Sequence, residues 1–413
     1  CDPGSIPGRC IIFIFPTRYL GSLSKESIIF RKFLIKEFGI EYIVKYPHKN
    51  IFANVQKNTC ILIGKKNSTK KNVEFIEILD DLENINFDEI SKIIKERKKT
   101  SSVILNEKTK DNLLLKANTG WKEFFSKNSF HNLIDDIKNK FTSLNEDLVD
   151  FLPRGNAGNV GGSDYIFPNK NTKIGKEFLK LPINNFILGV KNSEMIPINI
   201  DKKNFKYLAF NPKVNLDIQM KNTLYELFSL IDKVQKNLNN KIQYKKYKDH
   251  EDKLKILTNS RIYDKNTILI PRATRRHGKI GILSEDAVIS TNFILLKPKN
   301  TNERYLIVAW FLSIFGQLQL EELSNNERGV RKTEINYLKE KFLIPKFSEI
   351  NLADKDKIIN LVKNQLVNPI DFNNIEISEL DNLWKEILFP NRNDLSILKF
   401  IELLKLYLEI REP

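Results

Sequence analysis

Five basic side chains lie within eight residues of one another: Arg272, Arg275, Arg276, His277 and Lys279, between two apolar, strand-like runs. A guanidinium is always charged, and packed cores do not take it without a partner. These heads must therefore reach solvent, a carboxylate or a phosphate. The planar fork of Arg also matches the two acceptors of guanine in the major groove. Glu285 and Asp286 lie close by in the sequence and could neutralise an ordinary surface turn, but the density of charge favours contact with DNA. A second basic cluster, Arg328, Arg331 and Lys332, surrounds Gly329 in the run NNERGVRKT. Thr333 is placed to cap a helix starting near Glu334, and a helix N-terminus beside Arg is a ready phosphate site. An ordinary capped loop fits that run equally well. Arg154 opens a glycine-rich run, Arg154–Ser163, that lacks the Gly-Lys-Ser/Thr of a phosphate-binding loop. It reads as a turn-rich hairpin or a DNA-facing loop.

Other chemistry is sparse. His48, His131, His250 and His277 are scattered without metal or triad spacing, and no metal site is expected. Cys1, Cys10 and Cys60 form neither a disulfide framework nor a zinc pattern, which suits a reducing compartment. Glu74 and Glu77, with Asp80 and Asp81 after them, are expected at the surface, and no nuclease signature is present. The run Lys241–Lys255 interleaves Tyr244 and Tyr247 with Lys and reads first as a solvated helix, second as a phosphate track. Lys and Arg total 67 against 51 acidic residues, a net charge of +16. That excess favours a polyanionic partner without separating nucleic acid from an anionic membrane. No apolar run approaches the roughly 18 residues that cross a bilayer, so a soluble, cytoplasmic protein with no membrane partner is expected.

The elements that must position these residues are legible as periodicities. Residues 10–16 read as a buried strand ended by Pro16, and apolar positions at Ile28, Ile29, Phe33, Leu34 and Phe38 mark an amphipathic helix. Ser24 is its expected N-cap and Gly39 its C-cap. Ile40–Tyr46 and Thr59–Gly64 read as further strands, the latter antiparallel because the connecting loop is short. Val73–Leu79 alternates like an added strand, and Phe87–Lys98 looks helical. This order is one end of an α/β sheet, yet no glycine-rich nucleotide loop precedes it. The first residue is Cys and the first Met is Met195, so we expect the sequence to start inside a longer gene. Residues 267–296 read as strands around the basic turn. Helices are expected over 223–240, 305–323, 334–341, 354–366, 377–388 and 396–410.

Taken together, PGRCIIFIFPTRYLGS, IFRKFLIKEFGIEYIVKYP and NIFANVQKNTCILIGKK resemble, in order and spacing, the last third of the catalytic domain of N6-adenine DNA methyltransferases of restriction–modification systems. That family carries an S-adenosylmethionine turn and an Asn/Asp-Pro-Pro-Tyr/Phe loop earlier in the domain. Neither occurs here: Asn211-Pro212-Lys213 and Asn368-Pro369-Ile370 lack the second Pro and the aromatic residue. The resemblance thus implies a catalytic residue set, and a site for S-adenosylmethionine, upstream of this chain. It also implies that Phe52 stacks on the extruded target base. The competing reading of Phe52 is a core anchor for the loop 47–58.

The second half resembles target-recognition domains, including those of type I specificity subunits, through FLPRGNAGNVGGSDYIF, ILIPRATRRHGKIGILSEDAVISTNFILLKP and YLIVAWFLSIFGQLQLEELSNNERGVRKTEINYLKEKFLIPKF. The resemblance implies double-stranded DNA as partner, with restriction or specificity subunits as further ones. The expected organisation is α/β, then α+β. A partial Rossmann-like methyltransferase sheet spans 1–100, a linker 101–150, an α+β target-recognition domain with helical spacers 151–350, and a helical region 351–413. The expected activity of the parent is methyl transfer to adenine N6 in a specific sequence. The alternative is a non-catalytic specificity module that serves a separate enzyme.

Overall fold

A computed structural model describes residues 10–22, 24–45, 59–78, 88, 92, 95–96, 103–118, 120–121, 124–125, 130–145, 147–155, 166–191, 198–203, 207–236, 249–327, 330–390 and 396–411. The strands are β1 (Cys10–Pro16), β2 (Ile40–Lys45), β3 (Thr59–Lys65), β4 (Asn72–Ile78), β5 (Val103–Thr109), β6 (Phe141–Ser143), β7 (Val149–Phe151), β8 (Phe186–Val190), β9 (Asn199–Ile200), β10 (Tyr207–Phe210), β11 (Ile262–Tyr263), β12 (Ile268–Pro271), β13 (Ala273–Thr274), β14 (Gly281–Leu283), β15 (Ala287–Ile289), β16 (Phe293–Pro298), β17 (Asn325–Glu327), β18 (Val330–Lys332) and β19 (Leu343–Pro345). The chain divides into two units. One holds residues 1–138, 325–330 and 402–413, and the other holds 139–324 and 331–401.

The first unit is built on one mixed sheet in the order β1-β3-β2-β4-β5. β3 runs antiparallel to both β1 and β2, while β2 and β4 are parallel. The helix Lys25–Lys36 covers one face. Ser24 caps it by accepting from Ser27 N at 3.3 Å. Gly39, φ 65°, turns the chain into β2 two residues beyond the helix's C-cap Glu37. Arg31 on this helix is fully buried; its Nε donates to Ala117 O at 2.8 Å and its Nη1 to Tyr19 O at 2.6 Å. Trp121 fills the core beneath, with its indole nitrogen donating to Leu113 O at 3.0 Å and Phe75, Phe124 and Phe125 around it.

Three expectations change here. β1 is an edge strand, and Ile12, Phe13 and Ile14 are each more than half exposed rather than buried. Glu74 and Glu77 are buried, because β4 lies inside the sheet between β2 and β5. Lys45 stands opposite Glu77 in the parallel register and bridges to it, and Lys70 Nζ meets Glu74 at 3.0 Å over the Tyr42 ring. The segment 101–150 is not a plain connector: it supplies β5, which pairs with β4 along its whole length, and the core residue Trp121.

The second unit stacks small mixed sheets and helices, with an apolar core cluster between the two larger sheets and their helices. A four-stranded sheet runs β10-β8-β15-β11 and a five-stranded sheet β7-β16-β12-β14-β9. Phe178, Phe210, Leu224, Phe228, Leu257, Leu269 and Leu295 fill the core they share with the helices Ile218–Lys236 and His250–Thr258. The region read as one helix over 305–323 is two, Arg304–Leu312 and Ile314–Leu323, bent by 70° at Ser313. Ser313 has extended ψ and its hydroxyl accepts from Gly316 N. Only glycine fits at 316, where an added Cβ would fall on Trp310 O. The helices Leu352–Lys363 and Glu379–Leu388, expected to lie in a separate C-terminal region, pack within this unit. No single described helix is long and apolar enough to cross a membrane.

Candidate nucleic-acid interface

The basic turn leaves the five-stranded sheet at the end of β12 and returns at β14, which pairs antiparallel with it through Ile268↔Ile282 and Leu269↔Gly281. The apolar residues of these strands are buried, so the polar residues between them are carried out of the core. Arg275 and Arg276 form the exposed tip, Arg272, His277 and Lys279 are half-buried, and Gly278 is buried.

The backbone of the turn is held on both sides. On one side β13 pairs with β18 through Ala273↔Lys332 and Thr274↔Arg331. The amide of Thr333 donates to Arg272 O at 2.9 Å, and that of Arg272 to Asn292 O at 2.8 Å. On the other side, Phe372 N donates to Arg276 O at 2.9 Å and Gly278 N to Ile370 O at 3.1 Å. His277 and Asp371 face each other across an isolated bridge, with Nδ1 3.9 Å from Oδ1. The short strand inside the first basic turn and the strand that carries Arg331 and Lys332 are thus neighbours in one small sheet. Lys332 is exposed opposite Ala273.

Arg331 is the exception and corrects the expectation that it faces DNA. Its side chain is wholly buried. Nη1 donates to Gln317 Oε1 at 2.8 Å and to Glu321 Oε1 at 3.1 Å, Nη2 reaches Thr274 Oγ1 at 3.4 Å, and the guanidinium lies 5.7 Å from the centre of the Phe372 ring. A buried guanidinium is tolerated here because a carboxylate and two neutral acceptors replace its water. Thr333 does not cap the following helix, as had been expected. It is buried with its hydroxyl 3.2 Å from that of Ser324, and the helix Ile335–Lys341 starts after Glu334 with no side-chain cap.

The acidic neighbours Glu285 and Asp286 do not neutralise the turn by ion pairs with Arg275 or Arg276. Glu285 accepts from Lys202 N and Asp286 from Lys265 N. Arg272 pairs instead with Glu334 at 3.6 Å. Arg154 is exposed; the hydroxyl of Tyr263 donates to its carbonyl at 3.0 Å. Gly155 after it packs on the Ser290 backbone, two residues from the Asn292 carbonyl that receives Arg272 N. In the run Lys241–Lys255, Lys253 is buried against Asp232 at 2.6 Å and tracks no phosphate. Phe52, Arg328, Gly329 and Lys241–Lys248 lie outside the described residues. Among the described residues, no group of three or more His, Cys, Asp and Glu could hold a metal ion.

Sequence reasoning missed the polar floor of the turn, Gln317, Glu321 and Gly278. One signal was available: Gln317 and Glu321 stand four apart, hence on one face, of a helix that also carries Gln319 and Glu322 among its apolar residues.

A family model described as the specificity domain of the restriction endonuclease BpuSI matches residues 153–377. No curated protein sequence matches the chain. The fold is similar to that of the type IIG restriction endonuclease BpuSI, with a TM-score of 0.58 and 23% identity over 98% of this chain and 48% of that one. It is also similar to the type IIL restriction-modification enzyme MmeI, whose structure is in complex with DNA, with a TM-score of 0.52 and 12% identity over 97% of this chain and 50% of that one. A type I restriction-modification methyltransferase subunit from Streptococcus thermophilus matches over only 28% of this chain at 20% identity and a TM-score of 0.24. The chain spans about half the length of BpuSI and MmeI.

Proposed function

The chain belongs to the family of the BpuSI restriction endonuclease specificity domain, and on that premise we propose that the tip of its basic turn reads a target sequence in double-stranded DNA. The matched region is a DNA target-recognition domain of a restriction–modification enzyme. The observation that carries the finer reading is the exposed pair Arg275–Arg276 on a backbone held from both sides. Base readout needs a donor fork fixed in direction, because a floating guanidinium satisfies any acceptor. Arg272, Lys279, Lys332 and Arg154 then supply positive charge for phosphates on either side, with His277 beside them as a hydrogen-bonding group.

The parent activity proposed is transfer of a methyl group from S-adenosylmethionine to adenine N6. The mixed sheet β1–β5 would be the end of the catalytic sheet, extended by further strands at the open edge of β1. Asn211, in the first of the two Asn-Pro pairs, sits in a tight turn with its side-chain oxygen accepting from Lys213 N at 3.1 Å. S-adenosylmethionine would be held by residues outside this chain. Phe52 would stack on the target adenine once it has left the helix. Restriction or specificity subunits are the partners proposed beyond DNA.

The test is duplex binding by anisotropy at two salt concentrations, for the wild-type chain and for Arg275→Ala with Arg276→Ala. Loss of phosphate contacts flattens the dependence on log salt by about 0.9 per phosphate. Loss of base contacts leaves that slope alone and lowers discrimination by about 1–3 kcal/mol per bidentate contact. Binding unchanged in both respects would overturn the assignment of the turn.

A further inference from the structure

We infer that Arg331, with Gln317 and Glu321, is a positioning device for the recognition turn, and that it sets sequence discrimination without contributing to raw affinity for DNA. The inference rests on the reading of the turn as the base-reading element and extends it to residues that touch no DNA.

The geometry is specific. Gln317 stands at the centre of a relay. Its side-chain oxygen accepts from Arg331 Nη1 at 2.8 Å, and its side-chain nitrogen donates to Gly278 O at 3.2 Å and to Phe311 O at 2.5 Å. Gly278 is the far end of the turn. A Cβ there would fall on the Gln317 amide, so that position admits only glycine without displacing the relay. Arg331 also reaches Thr274 Oγ1 at 3.4 Å, at the near end of the turn. One buried guanidinium therefore connects both ends of the segment whose tip carries Arg275 and Arg276. The i,i+4 spacing of Gln317 and Glu321 puts both acceptors on one helix face, where the fixed fork of Arg can bond both. Glu321 is fully buried and neutralises the charge, so the network adds nothing to the field at the surface. Loosening it changes where the tip points and leaves the number of exposed cations as it was. The expected signature is a loss of specificity at constant electrostatics.

Three variants of the whole chain grade the perturbation: Thr274→Val, which keeps the volume and removes one acceptor; Gln317→Met, which keeps the length and breaks the relay; and Arg331→Lys, which keeps the charge and loses the fork. Each is first checked for a cooperative thermal transition. Binding is then measured to a duplex library randomised over its central base pairs, before selection for pooled affinity and after selection for the enriched motif. The expected result for Gln317→Met is an unchanged pooled affinity and salt slope, with the preference for the enriched motif reduced about 5- to 150-fold, the equivalent of a misplaced bidentate contact. Thr274→Val is expected to show the same split to a smaller degree and serves if the other two fail to fold. Pooled affinity falling in parallel with the motif preference, or a folded Gln317→Met or Thr274→Val chain that enriches the wild-type motif with undiminished preference, overturns the inference. Arg275→Ala with Arg276→Ala separates the two readings. If that double variant keeps the wild-type motif preference, the turn does not read DNA, and both readings fail. If it loses the preference and the network variants do not, only the positioning role fails.

Discussion

At the scale of single residues, burial decides which charges serve stability and which are left for a partner. Arg331 and Glu321 are both fully buried, so each is tolerable only while the other is present. Glu321→Ala is expected to destabilise the chain by about 3–5 kcal/mol, the cost of a stranded buried charge. Arg331→Met combined with Glu321→Leu is expected to lose much less, since an apolar pair needs no desolvation. Urea denaturation midpoints of the three chains check this. Cys60 gives a second residue-scale expectation. Burial pushes its thiol up to about 12, against a smaller opposing pull from Lys45. At neutral pH almost no thiolate forms, and the thiol donates to Phe15 O at 3.4 Å. Alkylation mapped by peptide mass spectrometry is therefore expected to label Cys60 only under denaturing conditions. Labelling of the native chain at the rate of a free thiol would contradict the packing of β3.

At the scale of elements, the break at Ser313 shows how one carboxylate sets the path of two helices. Asp381 is fully buried; its Oδ1 accepts from Ile314 N at 2.7 Å, and its Oδ2 accepts from Ser378 N at 2.9 Å and Ser378 Oγ at 2.6 Å. It joins the first turn of one helix to the capping box of another. Burial raises its pKa above the ordinary 3.8 despite those three hydrogen bonds. A raised folded value means that the native state holds the proton more tightly than the unfolded chain. The stability this group contributes is therefore full below about 3.8 and falls as pH rises through the folded value. Relative to Asp381→Asn, wild-type unfolding free energy is expected to decline across that window; a difference flat in pH would contradict the burial of a titrating acid. The edge strand β1 supports another expectation. Ile12 and Ile14 are 63% and 55% exposed, so replacing both with Lys is expected to change stability by no more than about 0.5 kcal/mol each. The same change should reduce self-association seen by light scattering.

At the scale of the whole molecule, the chain carries +16 but spends part of its basic surface internally. Arg31, Lys253 and Arg331 are buried, and Lys45 and Lys70 neutralise Glu77 and Glu74. The count of 67 basic residues therefore overstates the cations available to a polyanion, although the internal pairs leave the net charge unchanged. Duplex binding is expected to follow salt with the slope of the exposed set around the turn, about 0.9 per phosphate contacted. Since the proposed cofactor residues lie outside this chain, calorimetric titration with S-adenosylmethionine is expected to give no binding heat. Saturable heat would place the cofactor within these 413 residues and overturn that part of the proposal.

Local patterning was enough to place the first four strands of the first sheet, the antiparallel third strand among them, and the basic turn between β12 and β14. Each is a local property: the period of apolar residues, the length of a connection, the density of guanidinium groups in one segment. Tertiary structure alone decided which charged residues are internal. Arg331 and Arg275 are equally basic in the sequence. One is buried because Thr274, Gln317, Glu321 and Phe372, distant along the chain, converge on it. Glu74 and Glu77 read as surface because strand alternation does not reveal that β4 is covered on both faces, and β1 read as buried because apolar content does not reveal an edge. Phe52, which lies outside the described residues, has a role only through the family resemblance. A polar side chain's position depends on partners contributed by other segments, and a periodicity within one segment carries no record of them.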